Sequence, residues 1–334
     1  MSGAPDAGQL ARRGLFAAFV ALVVLALVVF AASQLAVSEA AVATLRQRAD
    51  PVGVLLGVSG MTVGMVFLAL RWRTLLPKPA EVAVLPLTGI LMIGSLANYA
   101  LPGPVGEFVA AGLAARRFGV AAEVAFAASV YARLLGLFSA GVVASAIYAF
   151  GGVVPAPGMA QWVAAAMVGL ATVAVALGAL SLRPALLEQV ASWSIAGPAR
   201  APLRRLASAL SSQVRLPAAR WALALGWALV GHLCVIVGIF VAASALGASP
   251  SALGLVFTYA ASTAGAIALF AFPGSQVGWD AMFAGLLVSV GNLELSEALA
   301  TALIVRVQQI FIVCMGAVVA IVEAARPRGD ERAG

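Results

Sequence analysis

Pro102-Gly103-Pro104-Val105-Gly106-Glu107 in the first half of the chain, and Pro273-Gly274-Ser275-Gln276-Val277-Gly278-Trp279-Asp280 in the second, decide how the fold is read. Each stretch breaks an apolar segment, and each acid is followed 26 residues later by an arginine, Arg133 and Arg306. The likeness runs on past the arginines, where Gly141-Val142-Val143-Ala144 has its counterpart in Gly316-Ala317-Val318-Val319-Ala320. Gly/Pro-interrupted hydrophobic segments at corresponding positions of two halves point to a transporter binding site.

The surroundings of the two breaks are membrane sequence. With 63% hydrophobic and 10% charged residues and a mean hydropathy of +1.06, the 334 residues hold too few polar side chains to cover a soluble globule. Long apolar segments fall at 14–36, 52–70, 84–101, 124–150, 159–182, 221–246, 252–272 and 297–323. Most reach the ~20 residues that a helix needs to cross the hydrocarbon core. Two further apolar arms, 103–118 and 274–291, follow the breaks. The first segment is read as a retained helix, because its apolar run exceeds the roughly 7–15 residues of a signal-peptide core. Cys234 and Cys314 lie inside apolar segments and imply no disulfide framework. The net charge of +7 is spread over short loops beside membrane spans, which suits bilayer orientation rather than nucleic acid.

Charge also orders the topology. If every segment crosses once from a cytoplasmic N-terminus, the 183–220 loop with Arg183, Arg200, Arg204, Arg205, Arg215 and Arg220 falls outside, against the positive-inside rule. If 84–118 and 252–291 are instead helical hairpins with Pro-Gly tips inside the membrane, the conflict disappears. Arg71, Arg73, Lys78, Arg116, Arg117, the 183–220 set and the C-terminal Arg326, Arg328 and Arg332 become cytoplasmic, and Arg46 and Arg48 stay in outer loops. The hairpins then enter from opposite faces, as in an inverted repeat. The expected fold is all-α: a single polytopic membrane domain over 1–334, with about eight long helices and two Pro-Gly-broken hairpins. Within the 183–220 cytoplasmic loop, Leu203, Leu206, Leu210 and Val214 share one helical stripe, which reads as an interfacial amphipathic helix.

An arginine deep in a span costs at least ~2.5–3.5 kcal/mol on insertion scales, so Arg133 and Arg306 require partners or water. Glu107 and Asp280 are the nearest candidates. A guanidinium fork also matches phosphate oxygens, so an anionic headgroup would compete for the same arginines. The pairs equally suit a structural role, holding hairpins against helices. Amides near Gly103, Gly106 and Gly274 would begin the returning arms, and helix N-termini favour negative charge. Gly106 and Gly278 permit close backbone approach or plain helix packing. Asn98, Tyr259, Ser262 and Thr263 either line a polar path or hydrogen-bond across helix contacts. The lone His232 suits a structural hydrogen bond better than a metal or haem site. No phosphate loop, nucleophile elbow or H-E-x-x-H pair occurs in the sequence.

Asn98–Arg133 and Pro273–Arg306 resemble the lysylphosphatidylglycerol synthase transmembrane family of flippase-like membrane proteins. The family's Asn-x-x-x-Pro-x-x-x-Gly-Glu stretch and later membrane arginine correspond to Asn98, Pro102, Gly106, Glu107 and Arg133. Its second-half break, acid and arginine correspond to Pro273, Asp280 and Arg306. Ala110 stands where the family often has arginine, Asp280 replaces the usual glutamate, and the preceding glycine is displaced to Gly278. Some members fuse this region to a soluble aminoacyl-transferase domain; the resemblance here covers the membrane part, so lysyl transfer is not carried over.

The resemblance implies a lipid flippase or a transporter of lipid-linked intermediates in a bacterial inner membrane, and the charge bias puts both termini in the cytoplasm. The absent catalytic motifs and the lone histidine lead to the expectation of no enzyme activity, metal or cofactor. The expected ligand is an anionic phospholipid or a polyprenyl-phosphate-linked lipid, with Arg133, Arg306, Glu107, Asp280, Asn98, Gly103, Gly106, Gly274 and Gly278 as the binding residues. Three alternatives remain open at this stage: an accessory membrane subunit serving a lipid-modifying enzyme, an integral-membrane lipid-modifying enzyme, and a small-anion secondary transporter.

Overall fold

A computed structural model describes residues 39–100, 105–182, 200–269 and 275–325. The described residues are all-helical: α1 (Glu39–Arg48), α2 (Pro51–Leu75), α3 (Val84–Ala100), α4 (Val105–Phe118), α5 (Ala122–Phe150), α6 (Pro157–Leu182), α7 (Arg200–Val214), α8 (Ala218–Ser244), α9 (Ala252–Leu269), α10 (Ser275–Ser289) and α11 (Leu295–Ala325). Four of them, α2, α5, α8 and α11, are long and apolar enough to cross a membrane. Of the eight long segments expected, 84–101 and 252–272 form shorter helices, the first arms of the two hairpins. Segment 14–36, both Pro-Gly tips with Gly103 and Gly274, and residues 183–199 lie outside the described residues.

The most extensive helix pair is α2 with α8. Its cause is a ladder of small residues: Gly53, Gly57, Gly60 and Gly64 face Ala245, Ala242, Gly238 and Gly231. Small residues let backbones approach, which is the main source of helix association where lipid offers no hydrophobic contrast. A Cβ at Gly57 would lie 2.8 Å from the Gly238 carbonyl oxygen, and one at Gly238 would lie 2.6 Å from that of Gly57. Both ends of the pair are closed by hydrogen bonds. Asp50 caps α2 by accepting from the Val52 and Gly53 amides at 3.2 and 3.0 Å, with Pro51 in the first turn. At the other end Arg220 donates to the carbonyls of Thr74 (2.9 Å) and Leu76, groups that the helix itself leaves without partners.

The hairpins are interleaved with the long helices. The second arms stay local: α4 packs on α5, and α10 on α11. The first arms cross over, α3 onto α11 and α9 onto α5. The α3–α11 crossing is close enough that a Cβ on Gly316 would strike the Met92 carbonyl oxygen, and one on Gly89 would stand 3.0 Å from Val319. Alanines 110, 111 and 114 of α4 and 125, 128 and 132 of α5 are buried together in one cluster.

These contacts place the hairpin mouths at opposite ends of the bundle. The Ser251 amide donates to the Gly291 carbonyl at 2.9 Å, closing the mouth of α9–α10 beside the start of α11. The α3–α4 mouth lies at the other end of α11, where Arg117 pairs with Glu323 at 2.7 Å. Arg73, Lys78, Arg116, Arg117, Arg205 and Arg220 gather at that second end, near the end of α2 and the start of α5. Arg48 is at the opposite end, paired with Glu297 at 3.1 Å. Helix α1, which the apolar pattern did not reveal, holds it there. Helix α7 turns Leu206, Ala209 and Leu210 against Val124, Ala127 and Tyr131 of α5.

Candidate functional site

Each half builds one acid–arginine pair at the same relative place. Glu107 is in the first turn of α4, where the helix N-terminus favours a carboxylate. Its Oε1 meets Arg133 Nη2 at 2.6 Å, and its Oε2 accepts the Ser129 hydroxyl. In the second half Arg306 sends both Nε and Nη2 to Asp280 Oδ2, at 2.7 and 2.6 Å. Asp280 Oδ1 is buried and has no hydrogen-bond partner among the described residues. The pairings expected between Glu107 and Arg133, and between Asp280 and Arg306, are thus the ones formed.

The pairs differ in which partner is covered. In the first half the Glu107 side chain is 11% exposed and Arg133 is 41% exposed; in the second half Arg306 is 15% exposed and Asp280 29%. Extra ligands explain the covering of Arg306. Its Nη1 donates to Gln309 Oε1 at 2.7 Å and lies 3.4 Å from the Tyr99 hydroxyl, which itself donates to Gln309 Oε1 at 2.5 Å. Tyr99 comes from α3, so the first hairpin completes the second half's site. Neither pair lines the apolar groove of about 210 Å³ between α5 and α6, which is bounded by Ala144, Tyr148, Val163 and Met167.

Asn98 is a cap rather than a free polar lining. Its Oδ1 accepts the Gly106 amide at 2.6 Å, so the last turn of α3 supplies the start of α4 with the acceptor that a returning helix lacks. Gly106 is obligatory for this closeness, because a Cβ there would overlap the Gly94 carbonyl and Asn98 itself. We expect Asn98→Leu to cost about 0.5–2 kcal/mol of stability, with Asn98→Asp retaining most of it, when both are melted in detergent. Equal melting of the leucine variant and the wild type would remove the cap from this account. Gly278 lies within α10.

The single histidine is held by protein groups. His232 Nε2 is 2.9 Å from the Gly136 carbonyl, which only accepts, so this nitrogen donates; Nδ1 then accepts the Tyr259 hydroxyl at 2.9 Å. Ser262 and Thr258, on the same helix as Tyr259, have buried hydroxyl oxygens without partners among the described residues.

Sequence reasoning misplaced Arg71. Assigned to a cytoplasmic loop, it lies inside α2, which runs on to Leu75, and is 7% exposed. Its guanidinium lies against Gly136 of α5, and the charges of Glu107 and Arg133 act on it. Ending the apolar run at residue 70 hid it. Gln309 was also overlooked, although an amide three residues after Arg306 in an apolar helix is a readable signal.

No curated protein and no solved structure matches this chain. Residues 16–316 match the model of the lysylphosphatidylglycerol synthase TM region, and the chain belongs to that family of integral membrane proteins.

Proposed function

We propose that the chain is a lipid flippase, or a transporter of lipid-linked intermediates, that moves an anionic headgroup between leaflets past two broken hairpins. The reading is supported by one observation above others: two acid–arginine pairs beside hairpins whose mouths open at opposite ends of the bundle. The reciprocal contacts, α2 with α8, α3 with α11 and α9 with α5, are those expected of an inverted repeat. In this reading the basic end faces the cytoplasm of a bacterial inner membrane, with both termini on that side. The lipid phosphate takes Arg133 or Arg306, and Glu107 and Asp280 hold the arginines between visits. Rocking of the two repeats alternates access. The protein changes no covalent bond, and it hands its lipid to, or takes it from, a lipid-modifying enzyme.

Arg133 is the more exposed arginine, so the first half is the open entry point. Transbilayer movement of labelled anionic phospholipids and polyprenyl phosphates in proteoliposomes tests the reading. The expected result is movement by the wild type and at least a tenfold loss in Arg133→Ala and Arg306→Ala variants that still fold. Unimpaired movement in both variants refutes the arginine roles; a change in lipid mass points to an enzyme instead.

A further inference from the structure

Two cations, one buried and one half-exposed, beside a single carboxylate make the first half's site electrically unlike the second's. Arg133 is paired with Glu107 at 2.6 Å, whereas Arg71, 7% exposed, forms no salt bridge among the described residues, and its Nε has no hydrogen-bond partner there. In the second half Arg306 and Asp280 balance one for one, and a neutral amide, Gln309, takes the further guanidinium nitrogen. Gly136 occupies the position three residues after Arg133, as Gln309 does after Arg306. The first half therefore has a glycine where the second has an acceptor, and the vacated volume is filled by the Arg71 guanidinium: a Cβ on Gly136 would overlap Nη1 and come 2.8 Å from Cζ.

The neighbouring polar groups already have partners, Tyr259 also bonding the Thr263 side chain. The Gly136 carbonyl receives Ser139 at 2.8 Å and His232 at 2.9 Å, and the Tyr259 hydroxyl donates to His232. A buried, unpaired arginine is costly in a membrane protein and is retained where an anion or water completes it. The Arg71 guanidinium lies against Gly136, one helical turn along α5 from Arg133; Arg71 is buried and Arg133 is 41% exposed, and a guanidinium fork matches the oxygens of a phosphoryl group.

We propose that Arg71 and Arg133 together form a phosphoryl-oxyanion site in the first half, with Gly136 as the clearance that lets Arg71 reach it. The proposal deepens the transport reading by making this half the one loaded at rest, but it concerns equilibrium binding alone. The test uses the full chain purified in phosphate-free detergent buffer. Melting temperature is followed against inorganic phosphate, dihexanoyl phosphatidic acid and, as the uncharged comparison, dihexanoylglycerol, for the wild type, Arg71→Met, Arg71→Lys and Gly136→Ala.

The wild type is expected to show a saturable rise with the phosphoryl compounds and none with the glyceride. Arg71→Met is expected to lose at least tenfold in apparent affinity, Arg71→Lys to fall between them, and Gly136→Ala, if folded, to resemble Arg71→Met. Because the methionine removes an unpaired buried charge, Arg71→Met should melt higher than the wild type without ligand, which a merely structural arginine would not do. A response to phosphatidic acid alone assigns the site to a lipid headgroup, and a response to both assigns it to phosphoryl oxygens generally. No response in the wild type, equal responses in Arg71→Met, or a lower ligand-free melting temperature in that variant overturns the proposal. Loss of lipid movement in proteoliposomes leaves these readings unchanged, so the two conclusions fail separately.

Discussion

Glu107→Ala is expected to lower stability by about 3–5 kcal/mol, the usual cost of removing one member of a buried ion pair. The carboxylate is the most covered of the four paired groups, and it anchors Arg133 and Ser129 at once. Its removal takes away the negative charge that acts on both Arg133 and Arg71. Arg133→Ala should cost less, since its guanidinium is 41% exposed and the remaining carboxylate keeps both Ser129 and the nearby Arg71. The double variant Glu107→Ala/Arg133→Ala should recover part of the loss but not all, because Arg71 still lacks a salt bridge among the described residues. Melting of the four proteins in phosphate-free detergent forms the cycle. A single Glu107→Ala variant as stable as the wild type would mean that the carboxylate does not hold these cations.

The second large effect concerns backbone rather than charge. Gly57→Leu or Gly238→Leu is expected to cost more than about 3 kcal/mol, above the ordinary overpacking range, because the added atoms meet a facing carbonyl and not the yielding tip of a side chain. The pair α2–α8 would have to separate along its length. Gly226, on α8 itself, has nothing within 4 Å of the place a Cβ would take, so Gly226→Leu should change stability by no more than about 0.5 kcal/mol. Equal losses in Gly57→Leu and Gly226→Leu would show that close approach does not decide the outcome, since leucine is a better helix former than glycine and propensity alone predicts no loss.

Most helices were legible because a membrane helix is written in one continuous symbol. The expected segment 221–246 becomes Ala218–Ser244, and 103–118 becomes Val105–Phe118, each within a few residues. The acid–arginine pairs were legible because a deep arginine demands a counter-charge and each half has an acid at the same spacing. What could not be read was who crosses to whom. Tyr99 precedes the first break, yet it bonds Gln309 in the other half, and no local pattern announces a contact 210 residues away. Arg71 was misread for a related reason: an arginine at the edge of an apolar run is usually a loop anchor, and only the absence of a side chain at Gly136 makes room for it inside. The ladder at Gly53, Gly57, Gly60 and Gly64 was a visible signal, since small residues at three- and four-residue steps share a face.

The crossing of the first arms also bears on how the chain is made. Tyr99 waits for Gln309, 210 residues downstream, and at synthesis rates of ~5–20 residues per second that interval is roughly 10 to 40 s. Throughout it, the face of α3 that ends against Gly316 and Val319 has no helix of its own to meet. The α9 face is different, because α5 already stands in the bilayer when α9 emerges. Biogenesis is therefore lopsided: the early hairpin is a guest in the membrane until the last helix arrives, and truncation before residue 295 leaves it without its partner.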